Sequence, residues 1–219
     1  MCIQRHVAYG AHQISASVGD KILVRALNRI ADSEQRIAEK DELIAELQSQ
    51  ALTEPLTGLI NRRGFEDSVR RAVASAHRFN ESGVLAYIDL DEFKPVNDRF
   101  GHETGDVVLK YVAEFLHNSV RATDTVSRIG GDEFALWLDG ADDLTAAERA
   151  EHLTITAPRM LRELTGGHEI RLGMSIGIAT RWPAMREGLD ETLQRADQAM
   201  YQAKCAGRGQ WRAWRAEAV

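Results

Sequence analysis

The chain has 219 residues, 44% of them hydrophobic and 27% charged, with 17 Gly and 4 Pro. That composition belongs to a folded globular protein and excludes collagen-like, mucin-like and wholly disordered chains; the length allows one ordinary domain with an extension or two small ones. Thirty-three acidic against 27 basic side chains leave a net charge of −6, which disfavours nucleic-acid backbones and anionic membranes, so a phosphate-bearing ligand needs local basic groups or a metal.

Cys2 and Cys205 are too few for a disulfide framework and fit a reducing compartment. No run approaches the ~20 apolar residues of a membrane span, and Met1 to Gly10 lacks the apolar core of a secretory signal. The expected location is the cytoplasm.

In chain order, residues 1–19 show no periodicity and read either as a disordered leader or as the remnant of something upstream. Residues 20–51 read as one helix, because no Gly or Pro stands between Gly19 and Pro55. Leu23, Ile30, Ile37, Ile44 and Ala51 recur every seven residues, with Leu27 and Leu47 on or near the same stripe. Such a repeat marks a narrow seam buried against a partner helix. Ser33 and Lys40 interrupt the seam, so the pairing is marginal alone. The alternative is a helix packed on its own domain.

From residue 52 to 219 the pattern is that of a second domain. Arg62 to Phe79 reads as an amphipathic helix and Val84 to Ile88 as a buried strand. Thr104 to Val120 is helical, and two short strands, Thr125 to Ile129 and Phe134 to Leu138, flank Gly130-Gly131-Asp132-Glu133 as a hairpin. A helix over Thr145 to Leu164, a strand over Ile170 to Thr180 and a helix over Leu189 to Cys205 follow. The order βαββαβ predicts an α+β, ferredoxin-like palm, with an antiparallel central sheet backed by helices.

Acids stand where the first strand leaves the core, at Asp89 and Asp91, which share a face if the strand continues. Asp132 and Glu133 stand in the hairpin turn. If the hairpin lies beside that strand, three or four carboxylates converge, repel and raise one another's pKa. A magnesium ion, bound by oxygen ligands and substrate phosphates, resolves that conflict, as in phosphoryl- or nucleotidyl-transfer sites. Solvated loop-tip acids are the alternative. Gly130 and Gly131 let backbone and ligand approach closely.

Arg128-Ile129-Gly130-Gly131-Asp132-Glu133-Phe134 resembles the signature of the GGDEF family of diguanylate cyclases. Further blocks match in family order. Pro55-Leu56-Thr57-Gly58-Leu59-Ile60-Asn61-Arg62-Arg63 opens the domain, and Asp89-Leu90-Asp91-Glu92-Phe93-Lys94-Pro95-Val96-Asn97-Asp98 continues it, with Phe100-Gly101-His102 and Gly105-Asp106. Ser175-Ile176-Gly177-Ile178-Ala179, Ala196 to Lys204 and Gly207-Arg208 close it. The resemblance covers about residues 52–212.

It implies a dimeric, magnesium-dependent cyclase, with manganese as a substitute, that condenses two GTP into cyclic di-GMP and two pyrophosphates. By the resemblance Asp89, the Leu90 carbonyl, Asp132 and Glu133 hold metal, and either Asp132 or Glu133 helps deprotonate the 3′-hydroxyl. Asn97 and Asp106 read guanine. Lys94, Lys204 and Arg208 bind phosphate, Lys94 also counting among the catalytic residues. Lys204 and Arg208, four apart, would project together from a helix end. Phe93, His102, Gly130 and Gly131 lie by the nucleotide, with His102 either touching it or structural.

Arg121 and Asp124 match the family's inhibitory product site, although Arg-x-x-Asp alone is a common surface pair. Three departures stand out. Glu54 replaces a common aspartate, Pro95 follows Lys94, and Gly209-Gln210 stands where asparagine is frequent. The competing functions are a GGDEF domain that senses GTP or cyclic di-GMP without turnover, and a structural adaptor. The intact Gly130–Phe134 motif and the retained basic groups argue against the first, and Asp132→Ala separates a cyclase from the second.

Overall fold

A computed structural model describes residues 23, 25, 27–41, 43, 52–79, 81–164, 172–182 and 188–215. The expected leader over 1–19 and the seam positions Ile44, Leu47 and Ala51 lie outside them. The chain divides into two units, Met1–Ser49 and Gln50–Val219.

In the first unit residues 27–41 are helical, as the heptads predict. The seam residues Leu23, Leu27, Ile30 and Ile37 are each more than half exposed. Among the described residues no helix is long and apolar enough to cross a membrane.

The second unit runs α1 (Arg62–Phe79), β1 (Gly83–Asp91), α2 (Phe93–Phe100), α3 (His102–Asn118), β2 (Thr125–Gly130), β3 (Glu133–Asp139), α4 (Asp143–Leu164), β4 (Gly173–Arg181), α5 (Leu189–Cys205) and β5 (Trp211–Ala213). The sheet order is β2-β3-β1-β4-β5. β1 is central and antiparallel to both β3 and β4, as the βαββαβ reading requires.

β1 is an almost continuous apolar run because helices cover both of its faces. Val84, Ala86, Ile88 and Leu90 point into a core shared with Val108, Val112 and Leu116 of α3 and Leu153 and Ala157 of α4. Leu85 joins the other core, with Phe65 and Val69 of α1, Trp137 of β3 and Ala196 of α5. Alternation then places Tyr87, Asp89 and Asp91 on the α1 and α5 side.

Two elements depart from expectation. α2 is an additional helix in a stretch to which the sequence pattern assigned no element; Pro95 sits in its first turn, where a missing N–H breaks no helical bond. β5 pairs parallel with β4, so the sheet is mixed rather than wholly antiparallel. Three residues are too few for a periodic signal, and their ladder exists only because β4 is there to template it.

Candidate active site

The hairpin lies beside β1. Asp89 stands opposite Glu133 in register, and the Leu90 N–H donates to the Asp132 carbonyl at 3.2 Å. Gly131 takes φ +49 at the turn, a conformation that favours glycine. Arg128 fastens the turn, its Nε and Nη2 donating to the Gly131 carbonyl at 2.9 and 2.8 Å.

Asp89 is buried, and its Oδ2 lies 2.7 Å from Lys204 Nζ. Burial raises its pKa; the Lys204 hydrogen bond and charge oppose that, and the charges of Asp132 and Glu133 add to it. A buried acid facing two more acids needs a cation, and here the Lys204 ammonium supplies one. The donor set fits magnesium or manganese in kind, being oxygen throughout. Among the described residues no three His, Cys, Asp or Glu side chains already form a metal cage.

Tyr87, two residues before Asp89, donates from its hydroxyl to Glu133 Oε2 at 3.3 Å. Burial, then the Glu133 charge and hydrogen bond, push the phenol up to about 12, so it stays a donor at neutral pH. Tyr87 and Glu133 line a cavity of about 450 Å³ together with Arg62, Phe65, Asp190 and Asp197.

On the other flank, α2 and α3 bring Asn97 against Gly105, the residue before Asp106. A Cβ on Gly105 would stand 1.8 Å from Asn97 Oδ1, so glycine makes room for the amide. Phe93, expected by the nucleotide, is 8% exposed, and its ring packs into the core under Gly105. It supports the Asn97 helix from below. Lys94, His102 and Asp106 are exposed on the same helix pair.

Arg208 departs from the helical picture. α5 ends at Cys205, and Arg208 sits beyond it in a left-handed conformation with φ +63. Helical spacing therefore does not align it with Lys204. Asp91 departs too. It shares a face with Asp89 but turns from the cluster, accepting from Ser175 Oγ at 2.6 Å and the Gly209 N–H at 2.7 Å.

Asp124 Oδ2 accepts from the Arg121 N–H at 2.8 Å and its Oδ1 from the Asp139 N–H at 3.0 Å, while the Arg121 side chain is exposed. The acid thus fixes the base of the hairpin while the guanidinium stays open to solvent.

Sequence reading passed over Glu54, Tyr87 and Ser175 as partners. Arg128 Nη1 lies 2.9 Å from Glu54 Oε2, and Glu54 caps its own turn by accepting from the Leu56 and Thr57 N–H groups. The signal for Glu54 was its place ahead of the opening proline. Tyr87 gave none, since it reads as one more large residue of a buried strand.

An antiparallel core sheet between two helical layers, with acids at the exit of its central strand, defines an α+β palm-like domain. The family described as diguanylate cyclase, GGDEF domain, matches residues 51–210. The chain belongs to that family.

It is 41% identical over 165 residues to the bifunctional diguanylate cyclase/cyclic di-GMP phosphodiesterase MucR of Pseudomonas aeruginosa, covering 74% of this chain and 23% of that protein. It is 36% identical over 163 residues to the diguanylate cyclase DgcS of Shewanella oneidensis, covering 74% and 53%. The chain thus spans about half the length of these curated relatives or less. The coiled coil and GGDEF domain of DgcB from Caulobacter crescentus, solved in complex with c-di-GMP, superposes with a TM-score of 0.73 at 30% identity, covering 84% of this chain and 97% of that one.

Proposed function

We propose that this chain is a diguanylate cyclase: two GTP become one cyclic di-GMP and two pyrophosphates, each 3′-hydroxyl attacking the α-phosphate of the other nucleotide. The observation that carries this reading is Asp89 set opposite Glu133 at the GGDEF turn, with Lys204 2.7 Å from Asp89. Acids and a cation meet there, at the end of the central strand, where a nucleotidyl-transfer site needs them.

The chain's residues divide the work. Asn97 and Asp106 read the guanine edge: the carboxylate accepts from the ring N–H and amino groups, and the amide donates to the base's acceptors. Adenine would leave those groups unpaired, at about 1–3 kcal/mol each. Lys94, Lys204 and Arg208 hold phosphates, and backbone at Gly130 and Gly131 lies close to them. Asp89, the Leu90 carbonyl, Asp132 and Glu133 would hold magnesium, or manganese in its place. When bound, the metal lowers the 3′-hydroxyl pKa and neutralises charge growing on the phosphates. Asp132 or Glu133 takes the hydroxyl proton, with the Tyr87 hydrogen bond holding Glu133.

Two GTP-loaded domains must meet. The exposed heptad stripe of the N-terminal helix supports pairing of two copies, which raises the domains' effective concentration. Arg121, with Asp124 fixing its backbone, is the site for product feedback. A cytoplasmic setting, where GTP is supplied, accompanies the reading. The domain division proposed is a leader over 1–19, a pairing helix over 20–51 and the catalytic domain over 52–219.

The test is GTP with magnesium, followed by chromatography for cyclic di-GMP, on protein stripped of bound product. Wild-type protein should form product, while Asp132→Ala should lose it by roughly a hundredfold or more and keep its unfolding temperature. Equal product from both would remove the assignment.

A further inference from the structure

Two ties join the exit of β1 to the last turn of α5 and to the segment after it, and they bracket Arg208. Asp89 holds Lys204 at 2.7 Å, and Asp91 holds the Gly209 N–H at 2.7 Å. Asp91 is 4% exposed, and its second oxygen accepts from Ser175 Oγ at 2.6 Å, so both of its oxygens are bound. The segment it holds is strained: Gly207, Arg208 and Gly209 take φ of +120, +63 and +58 in succession. An arginine in that region persists only where its surroundings over-determine it.

The surroundings do so from several sides. The Arg208 N–H donates to the Ala203 carbonyl at 3.2 Å, and the Gln210 carbonyl accepts from the Ile176 N–H at 3.0 Å. Gly173, opposite Asp91 in register, leaves the space: a Cβ there would stand 3.1 Å from Asp91 Oδ2 and 3.5 Å from Gly209 Cα. The replacement of asparagine by Gly209 follows the same logic, because Gly and Asn are the two residues best suited to left-handed backbone.

We infer that Asp91 is a positioning residue for phosphate binding: by clamping Gly209 to β4 through Ser175, it sets the strained turn that aims Arg208 at the triphosphate beside Lys204. The inference deepens the proposed cyclase reading and rests on it.

The full chain is titrated with 3′-deoxy-GTP and magnesium, which cannot condense for lack of a 3′-hydroxyl, and separately with guanosine. Asp91→Ala should weaken triphosphate binding about tenfold, the loss of one hydrogen bond to a charged group, and leave guanosine affinity unchanged. Asp91→Asn should restore most of the loss, since its amide oxygen still accepts from Gly209. In a double-mutant cycle, Asp91→Ala should add nothing once Arg208→Ala is present. Equal losses for guanosine and triphosphate, or full additivity with Arg208→Ala, would overturn the inference.

If Asp91→Ala does not fold, Ser175→Ala carries the test: it frees one end of the clamp and should weaken triphosphate binding about threefold, and no change would overturn the inference. If Arg208→Ala leaves triphosphate affinity intact, the phosphate role of Arg208 falls and the inference with it. If Arg208→Ala weakens binding while the Asp91 and Ser175 variants do not, the inference alone falls.

Discussion

Arg128 joins pieces of chain that are remote in sequence. One guanidinium nitrogen meets Glu54 at 2.9 Å while two others donate to the Gly131 carbonyl. The opening motif and the GGDEF turn are therefore one unit. Burial alone would raise the Glu54 pKa, but hydrogen bonds from the Thr57 hydroxyl, the Leu56 N–H, Arg128 and the Thr57 N–H lower it to about 2. A depressed acid adds stability above its ordinary pKa of 4.5 and loses it as pH falls towards 2. Glu54→Gln should therefore cost about 1–2 kcal/mol at neutral pH, with the gap to wild type closing between pH 4.5 and about 2 in acid unfolding curves. A gap that persists at pH 2 would refute the linkage. The longer acid in place of the family's common aspartate does not prevent this bond.

α1 and α5 begin and end where their periodicity predicts, because a long amphipathic stripe is written locally. Packing decides the rest. A Cβ on Gly177 of β4 would stand 2.0 Å from the Ala196 carbonyl oxygen and 2.1 Å from the Met200 nitrogen, both backbone of α5. Gly177→Ala must push the helix off the sheet, and about 3 kcal/mol of lost stability is expected, the upper end of overpacking costs. Thermal or urea unfolding checks it; a variant as stable as wild type would mean that α5 rides further from the sheet. α5 carries Lys204, so the same substitution should also reduce activity. α2 and β5 were not legible: one is a two-turn helix spelled in motif residues, the other three residues long.

At the scale of the whole molecule, the pairing role proposed for the N-terminal helix can be tested apart from the palm-like unit. Ile30 and Ile37 are more than half exposed and belong to the helix's own stripe. Ile30→Asp with Ile37→Asp should leave the unfolding of the palm-like unit unchanged. Activity per protomer should fall at least tenfold in dilute solution, by loss of effective concentration, and recover as protein concentration rises. Sedimentation beside the rate assay checks this, and unchanged activity at dilution would remove the helix from the pairing role.

By itself the sequence determined the βαββαβ order, the hairpin and the family, because helical and strand periodicity and contiguous motifs are properties of neighbouring residues. It also named, as candidates, the acids, Asn97 with Asp106, and the basic groups. Only the tertiary structure decided that Asp89 and Asp91 part company, that Arg208 leaves the helix, and that Phe93 lies beneath the site. Those outcomes depend on partners such as Ser175 and Gly209, which stand 84 and 118 residues from Asp91 along the chain. Strand pairing brings such residues together, and no local pattern records which oxygen meets which donor.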